Sequence, residues 1–151
     1  MEASIVNTVI ESALHILGVT ANLTPKLNRP FSKKSRYAPG DISGLISVKG
    51  DIEGSISITF TEKCILSVVS AMFSEEITEL NNDVKDAAGE LTNMIAGRIN
   101  TKFAEMGKKC RAEMKEVRMD KNHLLEHLPE KQVFSIPFEG GAGYFNLEIC
   151  I

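Results

Sequence analysis

The chain has 151 residues, with 17 Lys and Arg against 20 Asp and Glu, for a formal charge of −3. That length suits one domain, residues 1–151, and the slight acidity argues against a protein built to hold nucleic acid on a basic patch. There is no Trp, and 6% of residues are aromatic, so a platform for stacking bases is not expected either.

The N-terminus reads Met1-Glu2-Ala3-Ser4, without the basic start of a secretory leader. No apolar run approaches the roughly 20 residues of a membrane span. Ser4 is a candidate N-cap for a first helix to about Leu17, with Ile5, Val9, Ala13, Ile16 and Leu17 as its apolar stripe and Gly18 near its end. His15, alone within it, reads as an ordinary residue rather than a ligand. The segment Thr24 to Gly40 holds three of the five prolines and reads as an extended piece followed by a loop. Lys33, Lys34 and Arg36 cluster there and are expected to be solvated.

Ile42–Val48 and Ile52–Phe60 read as a hairpin around Lys49-Gly50-Asp51. In its second strand Ile56, Ile58 and Phe60 alternate with Ser55, Ser57 and Thr59, so one face should pack and the other be polar. Thr61 is the expected N-cap of a short amphipathic helix carrying Cys64, Ile65, Val68, Val69 and Met72. A polar connection then leads to Asn81.

The stretch Asn82 to Met106 organises the rest. Val84, Ala88, Leu91, Ile95, Ile99, Phe103 and Met106 recur at helical spacing and form one stripe. Asp86, Glu90, Asn93, Gly97, Asn100 and Ala104 fall on the opposite side. This second face lacks the Lys, Arg and Gln of a routine solvent face. Asn and Gly each cost roughly 0.5–1 kcal/mol in a helix interior relative to Ala. A small, amide-bearing surface of this kind can approach another protein closely, and Glu90 and Asn93, three apart, are neighbours on it. Spacing alone leaves open the plainer reading, polar residues standing in water.

Gly107 is placed to end that helix. Lys109–Met119 reads as a strand with Cys110, Ala112 and Met114 on one face. Gln132–Phe138 and Gly143–Ile149 read as a closing hairpin around Gly140-Gly141, with Pro137 arguing for an edge or a bulge. Cys64, Cys110 and Cys150 show no C-x-x-C spacing and sit among apolar residues, which fits small buried hydrophobes in a reducing cytoplasm. The fold class these elements imply is α+β: one domain, a mostly antiparallel sheet packed against two long helices, with Leu91, Ile95, Ile99 and Phe103 facing the sheet.

A second motif competes for attention. His123-Leu124-Leu125-Glu126-His127 fits H-x-x-E-H, in which two helical His hold a metal and the Glu acts as general base. Pro129 follows almost at once, and the short chain leaves little room for a third ligand and a cleft. No metal is therefore expected.

Asp86, Glu90 and Asn93 compose D-x-x-x-E-x-x-N within DAAGELTNMIAGRINTKFAEMG. With the stretches Gly40–Phe73 and Phe134–Ile151, this resembles the CheC–CheX–FliY family of chemotaxis phosphatases, the CheX branch most closely, over nearly the whole chain. The resemblance implies a CheC-like fold and a phosphatase acting on the phospho-aspartate of a CheY-type response regulator. Glu90 and Asn93 would be its catalytic residues, with Asp86 and Gly97 in partner contact. It implies no cofactor of the chain's own, since Mg²⁺ belongs to the receiver, and it implies a homodimer in which the closing hairpin could take part. In the family pattern a Pro usually follows the Asn by roughly two dozen residues; here that neighbourhood reads Lys115, Glu116, Val117. That departure supports an alternative: a non-catalytic module that binds a phosphorylated receiver or a flagellar-switch component.

Overall fold

The computed structural model describes residues 3–125, 127 and 131–151. The elements run α1 (Ala3–Ala21), β1 (Lys26–Leu27), β2 (Phe31–Lys33), β3 (Ile42–Gly50), β4 (Gly54–Phe60), α2 (Glu62–Phe73), α3 (Asn82–Glu105), β5 (Cys110–Arg118), β6 (Val133–Gly140) and β7 (Gly143–Cys150). The strands form one antiparallel sheet in the order β1-β6-β7-β4-β3-β5, with β2 beside β1 on the far edge of β6. The helices lie on one face of it. The architecture is the expected α+β, with a third, shorter helix beside the two long ones.

Alternation decides which side of each strand meets the helices. Ile42, Gly44 and Ile46 of β3 stand opposite Phe60, Ile58 and Ile56 of β4, and β7 continues the layer with Phe145, Leu147 and Ile149. Phe145 stacks on Phe138 of β6 at 4.9 Å between ring centroids. Leu91, Ile95, Ile99 and Phe103 of α3 are each 0% exposed over this layer, as their spacing predicts. Burying one such side chain contributes about 1.5–3 kcal/mol. Four of them outweigh the Asn and Gly that weaken the opposite face of α3.

Helix ends follow local chemistry. Asn81, rather than the Asn82 or Asp83 that the sequence suggests, caps α3 by accepting from Val84 N at 3.0 Å. Gly107, at φ 74°, closes it: its N–H bonds to Ala104 O and that of Lys108 to Phe103 O. The first helix does not stop at Gly18. It runs to Ala21 and ends at Asn22, a left-handed residue whose N–H bonds to Gly18 O. Among the described residues α1 is the one helix long and apolar enough to cross a membrane, contrary to the expectation from the sequence. Its stripe from Ile5 to Leu17 packs into the core against α3 and α2.

Pro137 lies within β6, which is paired on both sides. Asn28 donates to Pro137 O, so the missing Pro137 N–H faces the same side, where the edge strand breaks between β1 and β2. Both strands of the closing hairpin are thus already paired on both sides. The sheet's long open edge is β5.

The outer face of the sheet is polar, as the Ser and Thr alternation predicts, but it is buried. Ser43, Ser57, Thr59, Ser135 and Glu148 are at most 1% exposed. Lys33, expected in solvent, reaches in to pair with Glu148 at 2.6 Å, their side chains 10% and 1% exposed. His127 joins them, its Nε2 3.5 Å from Glu148 Oε1 and its Nδ1 2.7 Å from Ser55 Oγ. Burial raises the Glu148 pKa, but the hydrogen bonds and charges of His127 and Lys33 outweigh it, and the carboxyl ends below its usual range. His123 donates from Nδ1 to Asp120 O, and its Nε2 shares a hydrogen bond with Ser43 Oγ at 2.7 Å. Glu126, the middle of the H-x-x-E-H motif, lies outside the described residues. His123, Leu124, Leu125 and His127 are not helical, so the two His do not share a helix face. Their rings are engaged by hydroxyls of the sheet.

Candidate active site

Two contacts fix α3 on the sheet. Thr92, 1% exposed, presses on Gly44 of β3, where even a Cβ would come 2.0 Å from Thr92 Oγ1. Two turns on, the Asn100 side chain bridges the backbone of Ala112 in β5, donating to its O at 2.8 Å and accepting from its N at 2.6 Å. Asn100 was expected on the open face with Asn93. Its amide is instead an anchor, because β5 passes close enough to satisfy both ends of it.

With Thr92 turned inward, Asp86, Glu90, Asn93 and Gly97 are all exposed. The first three line one shallow depression, joined from α3 by Lys85 and Gly89 and floored by Met114 and Val117 of β5. Gly97 stands one turn beyond it. The side chains of Asp86, Glu90 and Asn93 form no hydrogen bond or ion pair with any described residue. Polar groups on a rigid, packed helix with no internal partner are preorganised for an external one. Asp86 and Glu90 also line a second, more apolar depression with Met72, Phe73 and Ile77. They stand as a ridge between the two.

Sequence reading missed Lys85, Gly89, Met114 and Val117 as neighbours of the site. Met114 was placed on the correct face of its strand, but β5 is an edge and α3 does not cover it, leaving it 37% exposed. The chain is irregular next to the departure near Glu116. Leu45 pairs with Glu116 and Ile46 with Met114, so Lys115 is the extra residue of a β-bulge. The strand bends beside the site without a proline. The main support for a non-catalytic reading is thereby weakened.

The described residues lining the first depression include no Ser, Thr or Cys. Away from it, Cys64 of α2 is buried, which pushes its pKa up to about 12 and keeps the thiol protonated. The depression offers an amide, two carboxylates and an ammonium, a set that can hold water and meet charge but has no group poised for covalent attack.

A family model for chemotaxis phosphatase CheX matches residues 42–139, which include α3 and β5. A CheY-P phosphatase CheX from Thermotoga maritima is 34% identical over 109 residues, 72% of this chain and 70% of the relative. The structure of chemotaxis protein CheX from Vibrio vulnificus superposes with a TM-score of 0.87 at 36% identity, covering 98% of this chain and 99% of that one. The structure of a CheX–CheY–BeF3–Mg²⁺ complex from Borrelia burgdorferi shares the fold at a TM-score of 0.73 and 18% identity, with 96% of each chain covered.

Proposed function

The chain belongs to the chemotaxis phosphatase CheX family, and from that premise we propose that it hydrolyses the phospho-aspartate of a CheY-type response regulator through Glu90 and Asn93. The observation that carries the reading is the pair itself: two exposed polar side chains without a partner among the described residues, on a helix locked by Thr92 and Asn100. Support also comes from the T. maritima relative, named for CheY-P, and from the B. burgdorferi CheX solved with CheY and Mg²⁺.

The chemistry asks little of the chain. In an acyl phosphate the leaving group is a carboxylate, already a weak base. Water attacks phosphorus, the bond from phosphorus to the aspartate oxygen breaks, and the proton leaves on phosphate or solvent. The receiver supplies Mg²⁺ for the phosphoryl oxygens. What remains is to hold the water in line. The Asn93 amide can accept from that water through Oδ1 while Nδ2 donates to a phosphoryl oxygen, the orienting role an amide plays in GTPases. Orientation worth about a hundredfold in rate needs only roughly 3 kcal/mol. Glu90 is an acceptor when ionised and pairs with a cation of the receiver, seating the helix. Asp86 and Gly97 extend the contact on either side.

The test is direct. A purified CheY-type receiver, phosphorylated with acetyl phosphate in Mg²⁺, should lose its phosphoryl group faster when the protein is added at catalytic amounts. An unchanged decay would overturn the reading. The same reading includes a homodimer with two receivers per assembly, paired along the open β5 edge rather than through the closing hairpin. Sedimentation at micromolar concentration should give the dimer mass; a monomer would count against it.

A further inference from the structure

Lys85 stands where the fold gains nothing from it. It is the fourth residue of α3, close to the positive end of the helix dipole, where acids are favoured and a cation is not. The positions three and four further on are Ala88 and Gly89, so no acid on its own helix face can pair with it. It is exposed, and its side chain forms no hydrogen bond or ion pair with any described residue. It is nonetheless the one cation among the described residues lining the depression with Glu90 and Asn93. Lys85, Gly89 and Asn93 follow one another at successive fourth positions along the helix. Gly89 between them is not required by packing: a Cβ there would make only an ordinary contact, 3.5 Å from Val117 Cγ2. The glycine leaves open surface between the ammonium and the amide.

We propose that Lys85 is a specificity-determining residue of this site, pairing with a carboxylate on the receiver's surface beside its phosphorylation pocket. The proposal rests on the phosphatase reading above. Geometry separates this carboxylate from the phosphoryl group itself. Lys85 and Asn93 are eight residues apart, about 12 Å along the axis, and a lysine offers roughly 6 Å of side chain. With Asn93 at the attacking water, the ammonium reaches the rim of the receiver's pocket and stops short of phosphorus. The helix then presents an ordered pattern: a cation on the β5 side and the acids Asp86 and Glu90 on the other. A receiver must answer with an anion and a cation in the same order, and one with the order reversed is rejected by like charge.

The experiment measures dephosphorylation of a CheY-type receiver by wild type, Lys85→Glu, Lys85→Arg and, as a charge-matched control, Lys63→Glu at the far end of α2. Lys85→Glu should raise KM at least about fivefold at low salt with kcat unchanged, and the gap should close near 1 M salt, where the screening length falls to about 3 Å. Lys85→Arg should retain the wild-type KM, and Lys63→Glu should change it less than twofold. Binding of the unphosphorylated receiver should weaken in Lys85→Glu as well; a defect confined to the phosphorylated form would overturn the carboxylate assignment. The melting temperature of Lys85→Glu should equal or exceed that of wild type, which a structural lysine would not allow. A wild-type KM in Lys85→Glu, beside normal wild-type turnover, overturns the proposal and leaves the phosphatase reading standing. Absence of wild-type turnover removes both.

Discussion

Two glycines on opposite sides of α3, Gly97 within it and Gly44 in β3 beneath it, should respond oppositely to one added methyl group. At Gly97 a Cβ would meet nothing within 4 Å, and the position is exposed. Gly97→Ala then gains helix propensity without strain, about 0.5–1 kcal/mol. For a chain of this size that raises the melting temperature by about 1–4 °C. At Gly44 the new Cβ would lie 2.0 Å from Thr92 Oγ1 and 2.9 Å from Thr92 Cβ. Thr92 is buried and cannot swing away, so α3 must shift. Gly44→Ala should cost about 1–3 kcal/mol or more and should also slow turnover, because Asn93 is the next residue. Thermal unfolding followed by circular dichroism, with steady-state dephosphorylation alongside, reads both effects. If Gly97 meets the receiver's backbone, Gly97→Ala should raise KM while it stabilises the fold. A lower melting temperature for Gly97→Ala, or a Gly44→Ala protein as stable and active as wild type, would refute this placement of α3.

Glu90→Ala should weaken receiver binding and turnover together, and the binding loss should shrink in high salt as screening removes the wild-type charge pair; a loss independent of salt would contradict an ionic role. Stability should change by about 0.5 kcal/mol or less, since Glu90 is exposed and has no partner among the described residues. Glu148→Ala should destabilise by about 3–5 kcal/mol, because it strands the Lys33 ammonium in a buried site; chemical denaturation tests it, and a loss under 1 kcal/mol, roughly a surface value, would contradict it. The folded Glu148 pKa is depressed, so its stabilisation is complete above the unfolded carboxyl value near 4.3 and is lost as pH falls through the folded one. Below about pH 4 wild type should therefore lose stability more steeply than Glu148→Gln.

What the sequence discloses tracks how local the cause is. The caps at Thr61 and Gly107, the alternation in β4 and the buried stripe of α3 from Val84 to Phe103 each depend on residues within a few positions and appear where expected; Met106, expected to close that stripe, follows the last residue of the helix and is 38% exposed. Asn100 could not be told from Asn93 by spacing. The difference is β5, which returns beside one amide and not the other. Lys33 looked like a loop cation because its partner lies 115 residues away. The short strands β1 and β2 carry too few residues for a period, and both are defined by pairing with β6, about a hundred residues away in sequence. The Glu90 and Asn93 pair was visible as a motif, but its lack of partners among the described residues was not, since that depends on what surrounds it.

Asn93→Ala, assayed with a phosphorylated CheY-type receiver, tests the central claim most directly. Asn93 is assigned to the transition state alone, so its removal should lower kcat by about a hundredfold while receiver affinity and melting temperature stay near wild type. Full turnover in Asn93→Ala would contradict the account, and so would a loss explained by weaker receiver binding or by unfolding.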